Sequence, residues 1–138
     1  MTVLFPGSFD PFTDGHHRIV SRALALFGNV VVAVGVNSDK SYMFSVEQRV
    51  EAIRQRFSDE PRVSVVHFSG MTVDCCREVG AFCIVRGVRD AKDWAYEKTV
   101  AEVNYQLAPD IETVLLIAEP GLEDVSSTLE RERLSHGS

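Results

Sequence analysis

Short apolar, β-branched runs alternate along the chain with segments of helical period. The runs Val3 to Phe5, Val30 to Val36, Val63 to Phe68, Phe82 to Val85 and Val114 to Ala118 read as strands. Between and after them, residues 15–27, 46–57, 72–79, 90–107 and 126–134 read as helices. The second helix opens with Ser45-Val46-Glu47-Gln48, a capping box in which the Ser hydroxyl and the Gln side chain satisfy early backbone donors. Strands separated by helices predict a parallel sheet covered on both faces. The expected fold is α/β, a single Rossmann-like doubly wound domain with a five-stranded parallel sheet spanning residues 1–138. No repeat, low-complexity tract or Gly/Ser linker marks a domain boundary. In such a sheet, ligands collect beyond the carboxyl ends of the strands, where the strand order reverses.

Composition narrows the function. A chain of 138 residues with 45% hydrophobic content fills one core without disulfides or structural metal. The N-terminus has no basic region followed by an apolar run, and no stretch approaches the roughly 18 apolar residues of a membrane span. The expectation is a soluble cytoplasmic protein with no membrane partner. A net charge of -6 argues against nucleic acid, whose phosphates demand a basic face. A small phosphorylated ligand needs only a few local cations. Cys75, Cys76 and Cys83 have neither a C-x-x-C spacing nor a histidine at ligand spacing and read as reduced, buried small hydrophobes.

Three motifs follow strand ends. Phe5-Pro6-Gly7-Ser8-Phe9-Asp10-Pro11-Phe12-Thr13-Asp14-Gly15-His16 leads from the first strand through a Gly/Pro turn into the first helix. Gly7 and Gly15 admit close backbone approach, and the free N–H groups of a helix start favour an anion. His16, in the first turn, can donate to a phosphate oxygen as charge builds on it. Read alone, Gly15-His16 is also an ordinary turn and helix start. His17 points elsewhere and is expected at the surface; neighbours on a helix diverge too far to share a zinc ion, and no metal site is expected.

Arg86-Gly87-Val88-Arg89 is expected where the fourth strand ends, with two guanidinium groups suited to bidentate phosphate contacts. Lys40, after the second strand, adds a cation at the same edge. Val125-Ser126-Ser127-Thr128, with Arg131 one turn on, combines a helix cap with hydroxyl donors. No paired-carboxylate spacing, G-x-S-x-G elbow, P-loop or dinucleotide fingerprint is present. An acceptor that is itself an ionised phosphate needs no enzyme nucleophile; it attacks directly, and positioning with charge stabilisation becomes the catalytic task.

With these motifs together and in this order, the sequence resembles the bacterial phosphopantetheine adenylyltransferase family, nucleotidyltransferases with a T/H-x-G-H signature, here Thr13-Asp14-Gly15-His16. The resemblance runs from Phe5 to about Glu132 and includes Tyr96-Glu97, Asn104 and Arg131-Glu132. It implies that Ser8 and Lys40 orient the acceptor's phosphate, with Thr72 and Arg86 on the same side and Asn104 toward the pantetheine arm. His16 is implied to stabilise the transition state at the α-phosphate, with Lys40 and Arg89 completing the catalytic set. Ser8, Phe9, His16, Gly87, Val88, Arg89 and Glu97, with Leu122, Glu123, Asp124, Val125, Ser126, Ser127 and Thr128, are implied to hold ATP. The resemblance further implies 4′-phosphopantetheine as acceptor, dephospho-coenzyme A and pyrophosphate as products, magnesium carried on the triphosphate, and a homohexamer.

The sequence departs from relatives in Ser8, usually Thr, in the acidic stretch Glu119 to Asp124 where many carry an aromatic, and in stopping before a further helical segment. Two other readings stay open. One is adenylyl or cytidylyl transfer to another phosphorylated small molecule, such as nicotinamide mononucleotide or glycerol phosphate. The other is a catalytically weak nucleotide-binding oligomer.

Overall fold

The computed structural model describes residues 1–118. Their elements follow the expected alternation: β1 Thr2–Gly7, α1 Asp14–Phe27, β2 Asn29–Gly35, α2 Val46–Arg56, β3 Val63–Phe68, α3 Thr72–Glu78, β4 Cys83–Val88, α4 Ala91–Leu107 and β5 Glu112–Ile117. The expected helix at 126–134 lies outside the described residues. Three strand boundaries need correction: β1 runs on through Pro6 and Gly7, which pair with Ala33 and Val34 instead of forming a turn, β5 begins at Glu112, and the end of β4 also moves. Arg86, Gly87 and Val88 do not follow β4 but form its end, because the ladder with β5 continues through Val88↔Ile117.

Alternation along each strand sorts the core into two layers. Val3, Phe5, Val30, Val32, Val34, Cys83 and Val85 pack on one face with Ile19, Val20, Ala23 and Leu24 of α1 and Val50 and Ile53 of α2. Leu4, Val31, Ala33 and Ile84 point to the other face, against Val73, Cys75 and Cys76 of α3. Complete burial of a side chain such as Val20 or Ile53 stabilises by about 1.5–3 kcal/mol. The three cysteines are free and buried, and burial raises the Cys76 and Cys83 thiols to about 11, so they stay protonated. Among the described residues, no helix is long and apolar enough to cross a membrane.

The sheet is parallel with strand order β3-β2-β1-β4-β5. The chain winds outward from β1 to β3 and returns to β4, so the order reverses between β1 and β4. β1 pairs with β2 from Thr2 to Gly7 but with β4 only at Val3↔Cys83 and Leu4↔Ile84. Pro6 can donate no ladder hydrogen bond, and beyond Leu4 the two central strands part. A crevice therefore opens at their carboxyl ends, where a doubly wound sheet takes its ligand. α4 lies along this edge on β4 and β5. Its buried residue is Glu97, while Trp94, Tyr96, Val103, Tyr105 and Leu107 are exposed.

Candidate active site

The start of α1 fixes the chemistry of His16. Thr13 is the N-cap, and its hydroxyl accepts from the His16 backbone N–H at 3.3 Å. In return the Thr13 backbone N–H donates to His16 Nδ1 at 2.9 Å, so histidine fills the place that Glu or Gln takes in an ordinary capping box. A backbone N–H can only donate, so Nδ1 carries no proton and the neutral ring holds its proton on Nε2. Phe5, Phe9 and Phe12 surround the imidazole with centroids at 6.3, 5.0 and 5.3 Å. Burial first, then the charges of Arg86, Arg56 and Arg89, lower its pKa to about 3. The result is a neutral N–H donor, which can strengthen its bond to a developing oxyanion without losing or gaining a proton.

Phe9 reaches this cluster from a left-handed backbone, φ 50°, uncommon for a bulky residue. Its ring lies so close over Gly7 that a Cβ there would fall 2.8 Å from Cζ. Gly7 thus makes room for a side chain as well as lining the cleft described next. His17 is half-buried, not at the surface as expected: it stacks on Phe57 at 4.5 Å and 20°. Its Nδ1 is buried without a hydrogen-bond partner among the described residues.

Beyond the carboxyl ends of β1 to β4, against α4, lies a cleft of about 350 Å³. It brings together Ser8, Lys40, Thr72, Arg86 and Asn104, residues separated by up to nearly the length of the described chain. Lys40 is exposed on a turn where its N–H donates to the Asn37 carbonyl at 3.0 Å, and Thr72 begins α3. Arg86 rises from β4 between the parted strands. Its Nε and one terminal nitrogen donate to Glu97 at 2.9 and 2.7 Å, and the other donates to the Pro6 carbonyl. Glu97, assigned to ATP by the resemblance, lines this same cleft with its carboxylate on Arg86.

Arg89 follows β4 and meets Asp93 through Nε at 2.8 Å; this bond holds the Asp93 carboxyl below its ordinary pKa. Val88 is buried, and Gly87 packs under α1, where a Cβ would come 3.2 Å from Ile19. Phe9, His16 and Arg89 stand outside the lining of the cleft, yet Arg86 and Arg89 lie near enough to His16 to act on its charge. Leu122, Glu123, Asp124, Val125, Ser126, Ser127 and Thr128, with Arg131, fall outside the described residues.

Sequence reasoning missed two buried charges beside the cleft, Asp10 and Arg49. Arg49 carried a signal: Val46, Arg49, Val50 and Ile53 follow the i, i+3, i+4, i+7 spacing of a core-facing stripe, so a charge stands where an apolar residue is expected. The cap role of His16 was also readable from Thr13-x-x-His16.

The cytidylyltransferase-like family matches residues 4–133. The chain is 48% identical over 133 residues to the phosphopantetheine adenylyltransferase of Bacteroides fragilis, covering 96% of this chain and 88% of the relative. It is 47% identical over 134 residues to that of Phocaeicola vulgatus, covering 97% and 88%. Among solved structures it is similar to a bifunctional NMN adenylyltransferase/ADP ribose pyrophosphatase from Francisella tularensis. The TM-score is 0.72 at 17% identity, over 99% of this chain and 42% of that one, a likeness of fold.

Proposed function

The chain belongs to the phosphopantetheine adenylyltransferase family, within the cytidylyltransferase-like nucleotidyltransferases, and from this premise we propose that it adenylates 4′-phosphopantetheine. A phosphate oxygen of the acceptor attacks the α-phosphorus of ATP. The bond from that phosphorus to the β-phosphate bridging oxygen breaks, pyrophosphate leaves, and dephospho-coenzyme A forms. The observation that carries the reading is the neutral Nε2–H of His16, set at a helix start beside a cleft that gathers Ser8, Lys40, Thr72, Arg86 and Asn104. Ser8 and Lys40 suit the acceptor's phosphate, Asn104 its amide arm, and His16 the charge growing on the α-phosphate. By the family resemblance Arg89 is taken as an ATP contact, as are Phe9, Gly87, Val88 and the 122–128 segment. No enzyme nucleophile is required.

Magnesium would enter on the triphosphate. The chemistry of the side chains fits this: Lys40, Arg86, Arg89, Ser8 and His16 are cations and donors for phosphate oxygens. When bound, the ion neutralises phosphate charge. The same reading takes the protein as a cytoplasmic homohexamer, for which the exposed apolar residues of α4 offer contact surface; light scattering in solution checks the assembly.

The deciding experiment is pyrophosphate release with ATP and magnesium, comparing 4′-phosphopantetheine with nicotinamide mononucleotide, glycerol 3-phosphate and no acceptor. Release specific to phosphopantetheine is expected. Preference for another acceptor would reassign the substrate, and silence with all of them in a protein that binds ATP would leave a nucleotide-binding module.

A further inference from the structure

Lys40 and Ser8 are the two groups that reach the acceptor's phosphate in the reading above, and neither sits on a helix. Something must hold their segments in register. Arg49 of α2 is 3% exposed, and its guanidinium reaches three backbone segments. One terminal nitrogen donates to the Ser8 carbonyl at 2.9 Å and to the Gly35 carbonyl, at the end of β2, at 3.0 Å. Nε donates to the Phe44 carbonyl at 3.2 Å. The same group lies 4.0 Å over the ring of Tyr42, whose hydroxyl accepts from the Asn37 backbone N–H at 3.0 Å. Asp10 in turn accepts the N–H groups of Met43 and Phe44 at 2.7 and 2.9 Å. The loop carrying Lys40 is thus tied near its start through Tyr42 and at its end through Asp10 and Arg49. Asp10 and Ser8 belong to the same turn.

We propose that Arg49, with Asp10 and Tyr42, is the positioning device for the acceptor phosphate, holding the Ser8 turn and the Lys40 loop at a fixed separation. A buried charge is a costly way to fill a core position, and an aliphatic side chain packs there with less desolvation. What the guanidinium supplies instead is a rigid fork of donors that satisfies carbonyls on separate segments at once. Lysine keeps the charge but not the fork. Arg49 is not among the residues lining the cleft; it acts through Ser8 and Lys40, in their role toward the acceptor's phosphate.

The inference rests on the proposed reaction, so its test has two readouts on full-length wild type, Arg49→Lys and Tyr42→Phe. The first is amide exchange at Met43 and Phe44, which needs no substrate. The second is steady-state kinetics with each substrate varied. Arg49→Lys should accelerate exchange in the loop and raise the acceptor KM on the order of 10-fold, with the ATP KM changed by less than about 2-fold, as expected when a phosphate-binding pair drifts apart. Tyr42→Phe, which removes only the bond to Asn37, should shift the acceptor KM in the same direction by about 3-fold. Equal changes for both substrates, tracking a lowered melting temperature, would overturn the positioning role and leave Arg49 as scaffold. Unchanged exchange would overturn the clamp itself. Wild type that fails to turn over phosphopantetheine would refute the reaction, with exchange still deciding whether Arg49 secures the loop.

Discussion

Acid titration of His16 gives the sharpest test of the site. In the folded chain the ring is neutral, with a pKa of about 3 against an ordinary value of 6.5. Between those values the unfolded chain binds the extra proton, so stability falls as pH drops from 6.5 toward 3. At pH 5 the loss due to this one ring is at most about 2 kcal/mol, from roughly 1.4 kcal/mol for each pH unit below 6.5. Glu60 and Asp93, whose pKa values are lowered, keep their charge through this window and contribute little to it. The control is His16→Gln, because glutamine is a usual capping-box partner and can still accept from the Thr13 N–H. Urea unfolding at pH 7.0, 6.0 and 5.0 compares the two proteins, and His17, present in both, cancels in the difference. Wild type should lose about 1–2 kcal/mol more than the variant over this range. Parallel losses would mean that the folded ring titrates normally, and the neutral-donor argument would fall with it.

Other outcomes follow from the same geometry. His16→Ala should lower kcat on the order of 100-fold or more with a smaller change in KM; an effect confined to KM would remove His16 from the transition state. Lys40→Ala should weaken acceptor binding on the order of 10-fold and spare ATP, as for loss of one charge-assisted contact; calorimetry giving the reverse would place Lys40 on the nucleotide side. Glu97→Gln leaves Arg86 without its anion in a partly buried pair, and should destabilise by about 2 kcal/mol in denaturant titrations. An unchanged midpoint would show that the pair contributes nothing net.

The sheet was legible because the strands hold short apolar runs and three helices have a capped start, at Thr13, Ser45 and Asp90, whereas α3 begins after Met71 with no side-chain cap. The end of β4 was not: Arg86 and Gly87 look like loop residues, and only their pairing with Leu115 and Leu116 keeps them in the ladder. Strand order is also unreadable locally, since nothing in Val3 to Phe5 tells which strands will flank it. Lys40 and Arg86 were readable from the residues, whereas Ser8, Thr72 and Asn104 came from the family resemblance; the reversal between β1 and β4 draws all five into one cleft. Glu97 was picked out as a site residue by the family resemblance, but its partner was not, because the chain turns from strand into helix over the 11 positions from Arg86 to Glu97. His17 misled because helical phase places it off the core stripe, while Phe57, arriving from the end of α2, covers it.

The join between β1 and β4 has only two rungs, Val3↔Cys83 and Leu4↔Ile84, and α1 reinforces it where Ile19 presses on Gly87. A molecule that touches Ser8 on one side and Arg86 on the other spans the gap where further rungs are missing. Its binding energy then does mechanical as well as chemical service, adding to the Arg86–Pro6 hydrogen bond that bridges the parted ends of the two strands. Substrate becomes a temporary part of the architecture, and part of the protein's resistance to unfolding is on loan from what it consumes.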